Sequence, residues 1–234
     1  MTLNITLISP TRCRPSTFAD ALGSALNMAR DPKSLEVLVR LDYDDQRLHE
    51  YLSRVPMLCP WARLVIGPRL TVGAAAPLND LVQSARGDAI VCFSDDNKFL
   101  TPRWDDEVRR VLENNPKKLI FFPKDNYLDE KQATNFIVRR KWVEIMGFLL
   151  PPQFNHLYAD TWVEDVAKKA DVLHYMPEII IQHEKFANPD LTMIDTRLGL
   201  QVALAKVLFD ASLEERNNYA AIIKRELSGI EGRT

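Results

Sequence analysis

Ala89-Ile-Val-Cys-Phe-Ser-Asp-Asp-Asn97 carries five apolar or small residues straight into Ser94-Asp95-Asp96-Asn97. An apolar run of that length reads as a strand buried on both faces. The paired carboxylates at its carboxyl end repel one another and are costly to desolvate unless something neutralises them. Open α/β sheets place their ligands along that edge. A hard divalent cation with a phosphate behind it is a physically economical partner for such a pair. The plainer alternative is a solvated turn in which Asp95 or Asp96 caps the helix that follows.

Upstream, strand and helix patterns alternate at short spacing. Residues 4–9 read as a first strand, closed by the glycine-free loop Pro10-Thr-Arg-Cys-Arg-Pro15 and a helix with Ser16 as its N-cap. Residues 35–41 form a second strand that runs into Asp42-Tyr-Asp-Asp45, and residues 62–66 a third, with a short helix over 46–55 between them. A helix over 77–85 leads to Gly87 and the central strand. This alternation predicts an α/β fold with a mainly parallel central sheet flanked by helices and right-handed crossovers.

Downstream, Thr101 is the expected N-cap of a helix, with Pro102 at its first position and Asp105 and Asp106 explained by the helix dipole and solvation. Strands are expected at 119–122, 135–138, 173–175 and 178–182, the last ending at His183, and helices at 140–146 and 160–170. Leu198, Val202, Leu208, Tyr219, Ile222, Ile223 and Leu227 then recur at helical spacing, with a break expected over Glu214–Asn218. The chain divides into an α/β domain over 1–186 and a helical C-terminal extension over 187–234, packed on that domain or engaged in a homodimer contact.

Composition narrows the classes. With 234 residues, 46% hydrophobic and 26% charged, the chain can bury the core of one large domain. A net charge of −2 gives no global footprint for nucleic acid and leaves only the local strip Arg139-Arg140-Lys141. Cys13, Cys59 and Cys92 fall at spacings of neither a disulfide framework nor a zinc site, so reduced thiols and a cytoplasmic setting are expected. Met1 leads almost directly into a strand, so no secretory signal is expected, and no apolar run approaches the ~18 residues of a bilayer span.

If the strands are parallel, Arg12 with Arg14, Asp42 with Asp44 and Asp45, and Asp95 with Asp96 converge at one edge. That set suits an anionic ligand with a polar head, such as a nucleoside diphosphate. Here the chain resembles the GT-A fold (nucleotide-diphospho-sugar transferase) glycosyltransferases, in particular the inverting family 2-like group. The matching pieces are Thr6–Arg12, Leu38–Asp42, Gly73–Asn79, Ala85-Arg-Gly-Asp88, Phe93–Asn97, Tyr158-Ala-Asp160 and Pro177–His183, which span about Ile5 to Lys185.

The resemblance implies roles. Pro10, Thr11 and Arg12 would border the nucleotide base, Asp42 would accept hydrogen bonds from base or ribose, Asn79 would sit near the nucleotide sugar, and Arg69 would contact base or phosphate. Asp95, Asp96 and Asn97 would stand where the group has its D-x-D motif, with Asp96, Asn97 and His183 on the metal, Mn2+ or Mg2+. Asp160 would be the base that deprotonates the acceptor hydroxyl, in a single inverting displacement. The donor implied is a nucleotide sugar, a UDP-sugar in the first instance, and the acceptor a carbohydrate or other hydroxyl. The sequence departs from the pattern twice. Ser94-Asp-Asp-Asn97 admits two registers of the motif, and Asp160 follows Ala159 rather than Glu, so Glu164-Asp165 is the competing pair.

Plainer readings stand beside these. Trp142, Phe154, Tyr158 and Trp162 suit either a platform for an acceptor sugar or ordinary core packing. His156 could touch acceptor or sugar, and Arg139–Lys141 could meet a phosphate or form a solvated face. The enzyme rival is a nucleotidyltransferase, against which the glycine-free Pro10–Pro15 loop argues; no G-x-x-x-x-G-K-[ST] or G-x-G-x-x-G occurs either. The other rivals are a non-catalytic nucleotide-sugar-binding module of the same fold and a transferase acting on nucleic-acid bases, which the charge balance disfavours.

Overall fold

The computed structural model describes residues 3–70, 73–126, 129–131, 133, 135–155, 157–183 and 196–231. The strands are β1 (Ile5–Thr11), β2 (Glu36–Asp42), β3 (Arg63–Gly67), β4 (Ala89–Cys92), β5 (Asn97–Phe99), β6 (Ile120–Lys124), β7 (Ile137–Arg139) and β8 (Leu173–His183). The helices are α1 (Pro15–Met28), α2 (Leu48–Leu58), α3 (Ala75–Ser84), α4 (Trp104–Asn114), α5 (Arg140–Met146), α6 (Ala159–Lys169), α7 (Thr196–Ala211) and α8 (Leu213–Glu231).

The strands join in one sheet of order β3-β2-β1-β4-β7-β6-β8-β5. β3, β2, β1 and β4 run parallel, each built from an apolar run. β7 runs antiparallel to both β4 and β6, β6 runs parallel to β8, and β5 antiparallel to β8. The sheet is therefore mixed. Its parallel part comes from the strand–helix alternation of the N-terminal half. Gly87 permits the tight entry into β4: a Cβ there would lie 2.6 Å from the backbone nitrogen of Thr6.

Both faces of the sheet are covered. Leu81 of α3, Trp142 of α5, Trp162 of α6 and Ile223 of α8 pack on one face. Phe18 of α1, Tyr51 of α2 and Trp104 of α4 pack on the other. Each fully buried large apolar side chain contributes about 1.5–3 kcal/mol. The order of strands sets β1 between β2 and β4, where connections depart in opposite directions and a crevice opens at the carboxyl ends.

Several local expectations are corrected. Ser16 lies inside α1, which starts at Pro15 and has Arg14 at its cap position. α4 starts after Arg103, in the left-handed region at φ 59°, while Thr101 accepts a bond from the backbone N–H of Ile180. Asp105 is fully buried rather than solvated; it accepts from the Arg30 backbone at 2.7 Å and from Arg109 at 2.9 Å. The segments expected at 173–175 and 178–182 are one strand, β8. The tail breaks at Ser212, before the expected Glu214–Asn218. The expected boundary at 186/187 lies outside the described residues.

Three of the four platform rings and two of the three basic-strip residues are absorbed by packing, with Tyr158 and Lys141 half-buried. Trp142, Trp162 and Phe154 are buried in the core. Arg139 donates to the carbonyls of Leu112, Asn115 and Lys118, and Arg140 to that of Gly87. They close loose chain ends and do not form a phosphate-binding strip.

Candidate active site

The crevice at the ends of β1, β2 and β4 holds a cavity of about 210 Å3 lined by Pro10, Thr11, Arg12, Arg40, Asp42, Arg69, Gly73, Ala74, Pro77 and Asp95. Six of the seven residues expected around the nucleotide are on this wall; Asn79 is not. Its carboxamide oxygen accepts from the backbone of Leu149 and Leu150, and its nitrogen donates to the carbonyl of Leu150. Asn79 thus braces α3 against the loop that leads to α6, and its polar atoms are engaged there.

At one end of the cavity, Asp42 terminates β2. Arg12 Nη1 donates to Asp42 Oδ2 at 3.0 Å and to Asp44 Oδ1 at 2.6 Å. The hydrogen bond to Asp44 holds the Arg12 guanidinium above its ordinary range and the Asp44 carboxyl below its own. Arg40, buried beneath them, donates to Asp80 at 2.9 Å and to the carbonyls of Pro68 and Leu41. Its Nη1 lies 3.7 Å from Asp42 Oδ1. Asp45 turns inward and accepts from the backbone of Cys13 at 2.7 Å and of Arg47 at 2.9 Å, fixing the loop after β1.

At the other end stands Asp95. Backbone N–H of Arg14 donates to the Tyr51 hydroxyl at 2.8 Å, and that hydroxyl lies 3.0 Å from Thr11 Oγ1. Thr11 Oγ1 in turn donates to Asp95 Oδ2 at 3.3 Å, so the Tyr51 proton points toward Thr11. Burial pushes the Tyr51 hydroxyl up to about 12, which keeps that proton in place. Arg14 Nη1 pairs with Asp95 Oδ1 at 3.2 Å. Burial raises Asp95, as does Asp96 beside it, while Arg14 and Thr11 oppose the rise.

The turn after β4 divides the two carboxylates. Asn97 N–H donates to the Ser94 carbonyl at 3.1 Å, and Ser94 Oγ donates to Asp96 Oδ1 at 2.5 Å. Asp95 meets the β1 loop, whereas Asp96 Oδ1 lies 3.6 Å from His183 Nδ1. Asn97 and His183 are direct cross-strand partners in the β5–β8 pair. Asn97 Oδ1 accepts from the backbone of Ser94 at 2.8 Å, so its Nδ2 is the end that faces His183 Nδ1 at 3.1 Å. Nδ1 is then the acceptor, and the neutral imidazole carries its proton on Nε2. Nε2 is buried with no partner among the described residues. The expected trio Asp96, Asn97 and His183 is brought together, but Asn97 acts as a brace and His183 presents a donor.

Asp160 is the second residue of α6, after Tyr158 in the left-handed region at φ 65°. Its Oδ1 accepts from the backbone of Thr161 at 2.8 Å. Both members of the competing pair have structural partners. Glu164 is buried, accepts from the backbone of Ala133 at 3.1 Å and pairs with Lys168. Asp165 pairs with Lys169 at 2.7 Å and with Arg216 of α8 at 2.6 Å. α6 is tied toward the cavity through α3, since Asn79 holds residues 149–150 and Ala75 N–H donates to the Asn155 carbonyl at 3.4 Å. His156 lies outside the described residues.

Arg40 and Tyr51 were not anticipated as part of this site. An arginine inside the apolar run of β2 is the one signal that could have found Arg40, because a buried charge needs partners.

No family model matches the chain, and no curated protein matches it. Solved structures do. The fragment 1–349 of S. aureus TarS superposes with a TM-score of 0.62 at 13% identity, over 77% of this chain and 60% of that one. The same fragment in complex with UDP-GlcNAc gives 0.65 at 11% identity, over 82% and 61%. The mannosyltransferase PcManGT from Pyrobaculum calidifontis, in complex with GDP-Man and Mn2+, gives 0.64 at 14% identity, over 98% and 76%. The chain has a glycosyltransferase-like fold. It spans about 60% of the length of the TarS fragment. Among the described residues no helix is long and apolar enough to cross a membrane.

Proposed function

We propose that this chain transfers a glycosyl unit from a nucleoside-diphosphate sugar to an acceptor hydroxyl, with inversion. The observation that carries the reading is the single cavity at the ends of β1, β2 and β4 in which Arg12, Asp42, Arg69 and Asp95 converge. Arg12 and Asp42 supply polar recognition at one end. Asp95 supplies negative charge at the other, where a diphosphate alone would be repelled. Neighbours of the same fold supply the donor class, since one is in complex with UDP-GlcNAc and another with GDP-Man and Mn2+.

The residues fit a divalent cation in part. Asp95, with Arg14 as a compensating guanidinium, and Asp96, turned toward His183, are the hard oxygen donors on this turn. Among the described residues no three His, Cys, Asp or Glu side chains form a closed cage. Mg2+ and Mn2+ sites commonly consist of one or two carboxylates completed by substrate phosphates. Asp95 and Asp96 would hold such an ion, which would offset the charge on the departing diphosphate. His183, expected as a ligand, is read instead as a donor from Nε2 to a diphosphate oxygen. Arg14, paired with Asp95, adds a positive group at that end of the cavity.

Asp160 is read as the general base. It removes the proton of the acceptor hydroxyl as that oxygen attacks the anomeric carbon opposite the leaving diphosphate. One displacement inverts the centre. The test is release of nucleoside diphosphate from a panel of donors, with binding of the free diphosphate followed separately. Asp160→Asn is expected to lower turnover by about 10²–10⁴-fold while binding stays within twofold. Full turnover in that variant overturns the assignment.

A further inference from the structure

We propose that Tyr158, held by Phe209 of α7, is the positioning residue for Asp160, so that the C-terminal helices govern activation of the acceptor hydroxyl. The inference rests on the reading of Asp160 as the general base. Tyr158 is the cap residue of α6 and stands in the left-handed region at φ 65° and ψ −1°. Its carbonyl accepts the first helical bond, from the N–H of Trp162 at 2.9 Å. In Asp160, Oδ1 takes the N–H and the hydroxyl of Thr161 at 2.8 and 3.4 Å. The carboxylate is thus tied to its own turn of helix, and the direction of that turn is set at Tyr158.

A left-handed backbone is natural for glycine and costly for a bulky side chain. Such a residue persists only where its surroundings over-determine it. The tail supplies those surroundings. The half-buried Tyr158 ring packs on that of Phe209, with centroids 5.5 Å apart and planes at 40°. Phe209 is fixed in turn by α8. The Arg216 guanidinium lies 3.8 Å from the centre of its ring, donates to its carbonyl and pairs with Asp165 of α6 at 2.6 Å. The contacts close a circuit from Tyr158 through Phe209, Arg216 and Asp165 and back along α6. Leu200, Leu204, Val207 and Leu208 of α7 are exposed, whereas Phe209 is half-buried, so α7 bears on α6 through this ring rather than along an apolar stripe.

A general base works only within hydrogen-bond reach of the proton it takes. Misplacement by about 1 Å can cost about 10²-fold in rate. Loss of the ring contact releases the backbone at Tyr158, and Asp160 moves with the start of α6. No described residue of the cavity wall comes from α6, α7 or α8, so donor binding is unaffected by the same change.

The experiment follows nucleoside diphosphate release by the full chain from UDP-glucose, UDP-GlcNAc and GDP-mannose, with Mn2+ and a mixture of monosaccharide acceptors. Binding of UDP and GDP is followed separately by calorimetry. Tyr158→Gly suits the left-handed backbone and deletes one ring; Phe209→Leu keeps apolar volume and deletes the other. Each is expected to lower kcat about 10–100-fold, with donor KM and diphosphate affinity within about twofold. Tyr158→Phe, which keeps the ring, is expected to recover most of the turnover. The deciding arm is the Asp160→Asn background. With no base left to place, Tyr158→Gly is expected to change the residual rate by less than about twofold. Melting temperatures are followed, and Phe209→Leu carries the comparison if Tyr158→Gly does not fold. An undiminished 10–100-fold loss in the Asp160→Asn background overturns the proposal, as does full turnover in both ring variants while Asp160→Asn is impaired; the base reading survives either result. Full turnover in Asp160→Asn, or no release from any donor by the unaltered chain, removes the underlying reading and this proposal with it.

Discussion

Asp95 is held at a cost to the fold. Burial raises its carboxyl above the ordinary range, against the pull of Arg14 and Thr11. An acid with a raised folded-state value binds its proton more tightly in the fold than in the unfolded chain. Its contribution therefore favours the fold most at acid pH and is lost as pH rises from the ordinary carboxylate range through the raised value. Asp95→Asn removes that cost. It is expected to raise Tm at pH 7 by about 2–4 °C, the equivalent of roughly 1 kcal/mol in a chain of this size, and to weaken cation-assisted diphosphate binding. A lower Tm would show that the pairing with Arg14 outweighs burial. His183 separates two roles by a different measurement. If it donates from Nε2, His183→Ala weakens diphosphate binding by about tenfold both with and without Mn2+. A loss confined to titrations containing Mn2+ would mark it as a metal ligand instead.

Among the elements, α8 fastens α6. Arg216 is buried, lies 3.8 Å over the Phe209 ring, pairs with Asp165 at 2.6 Å and donates to Ser212 Oγ at 2.7 Å and to the Phe209 carbonyl. Tyr219 meets Phe148 and Trp162 edge-on at 5.6 and 5.5 Å. Arg216→Ala removes the link between Asp165 and the Phe209 carbonyl, which keep Lys169 and Ser212 as donors, and is expected to destabilise by about 1–3 kcal/mol, read by urea denaturation; a change below 0.5 kcal/mol, the range of ordinary surface substitutions, would show that α8 docks by its apolar face alone. This contact also marks where sequence reading stops. The parallel strands were legible because each is a short apolar run ending in a polar cluster, and so was the convergence of Arg12, Asp42 and Asp95 at one edge, whereas Pro10, Thr11 and Arg69 were expected there only from the family resemblance. β5 was not, because three residues next to a polar turn carry no periodicity and are fixed only by pairing with β8. The same pairing decides His183 and Asn97. Asn79 was misplaced because an amide serves a backbone brace as readily as a ligand, and the chain order does not say which.

For the molecule as a whole, the three thiols report how the sheet is enclosed. Cys59 and Cys92 are buried, and burial pushes them up to about 11 and about 12. Cys13 is exposed on the loop after β1; burial of its sulfur and the nearby Asp45 also raise it. Native protein is expected to titrate one thiol with a disulfide reagent, slowly at neutral pH and faster as pH rises, and three after unfolding. Two fast native thiols would contradict the enclosure of β4 or of the end of α2. The placement of the cavity at the ends of β1, β2 and β4, and of Asp160 on a helix braced by the C-terminal tail, has a consequence for how such a protein diversifies. Residues that would choose the donor and the residue that would activate the acceptor descend from separate stretches of the chain and rest on different supports. If the proposed function holds, drift in the tail would retune acceptor choice while donor choice is inherited unchanged, and exchange of the segment after β7 between related chains would carry one trait without the other.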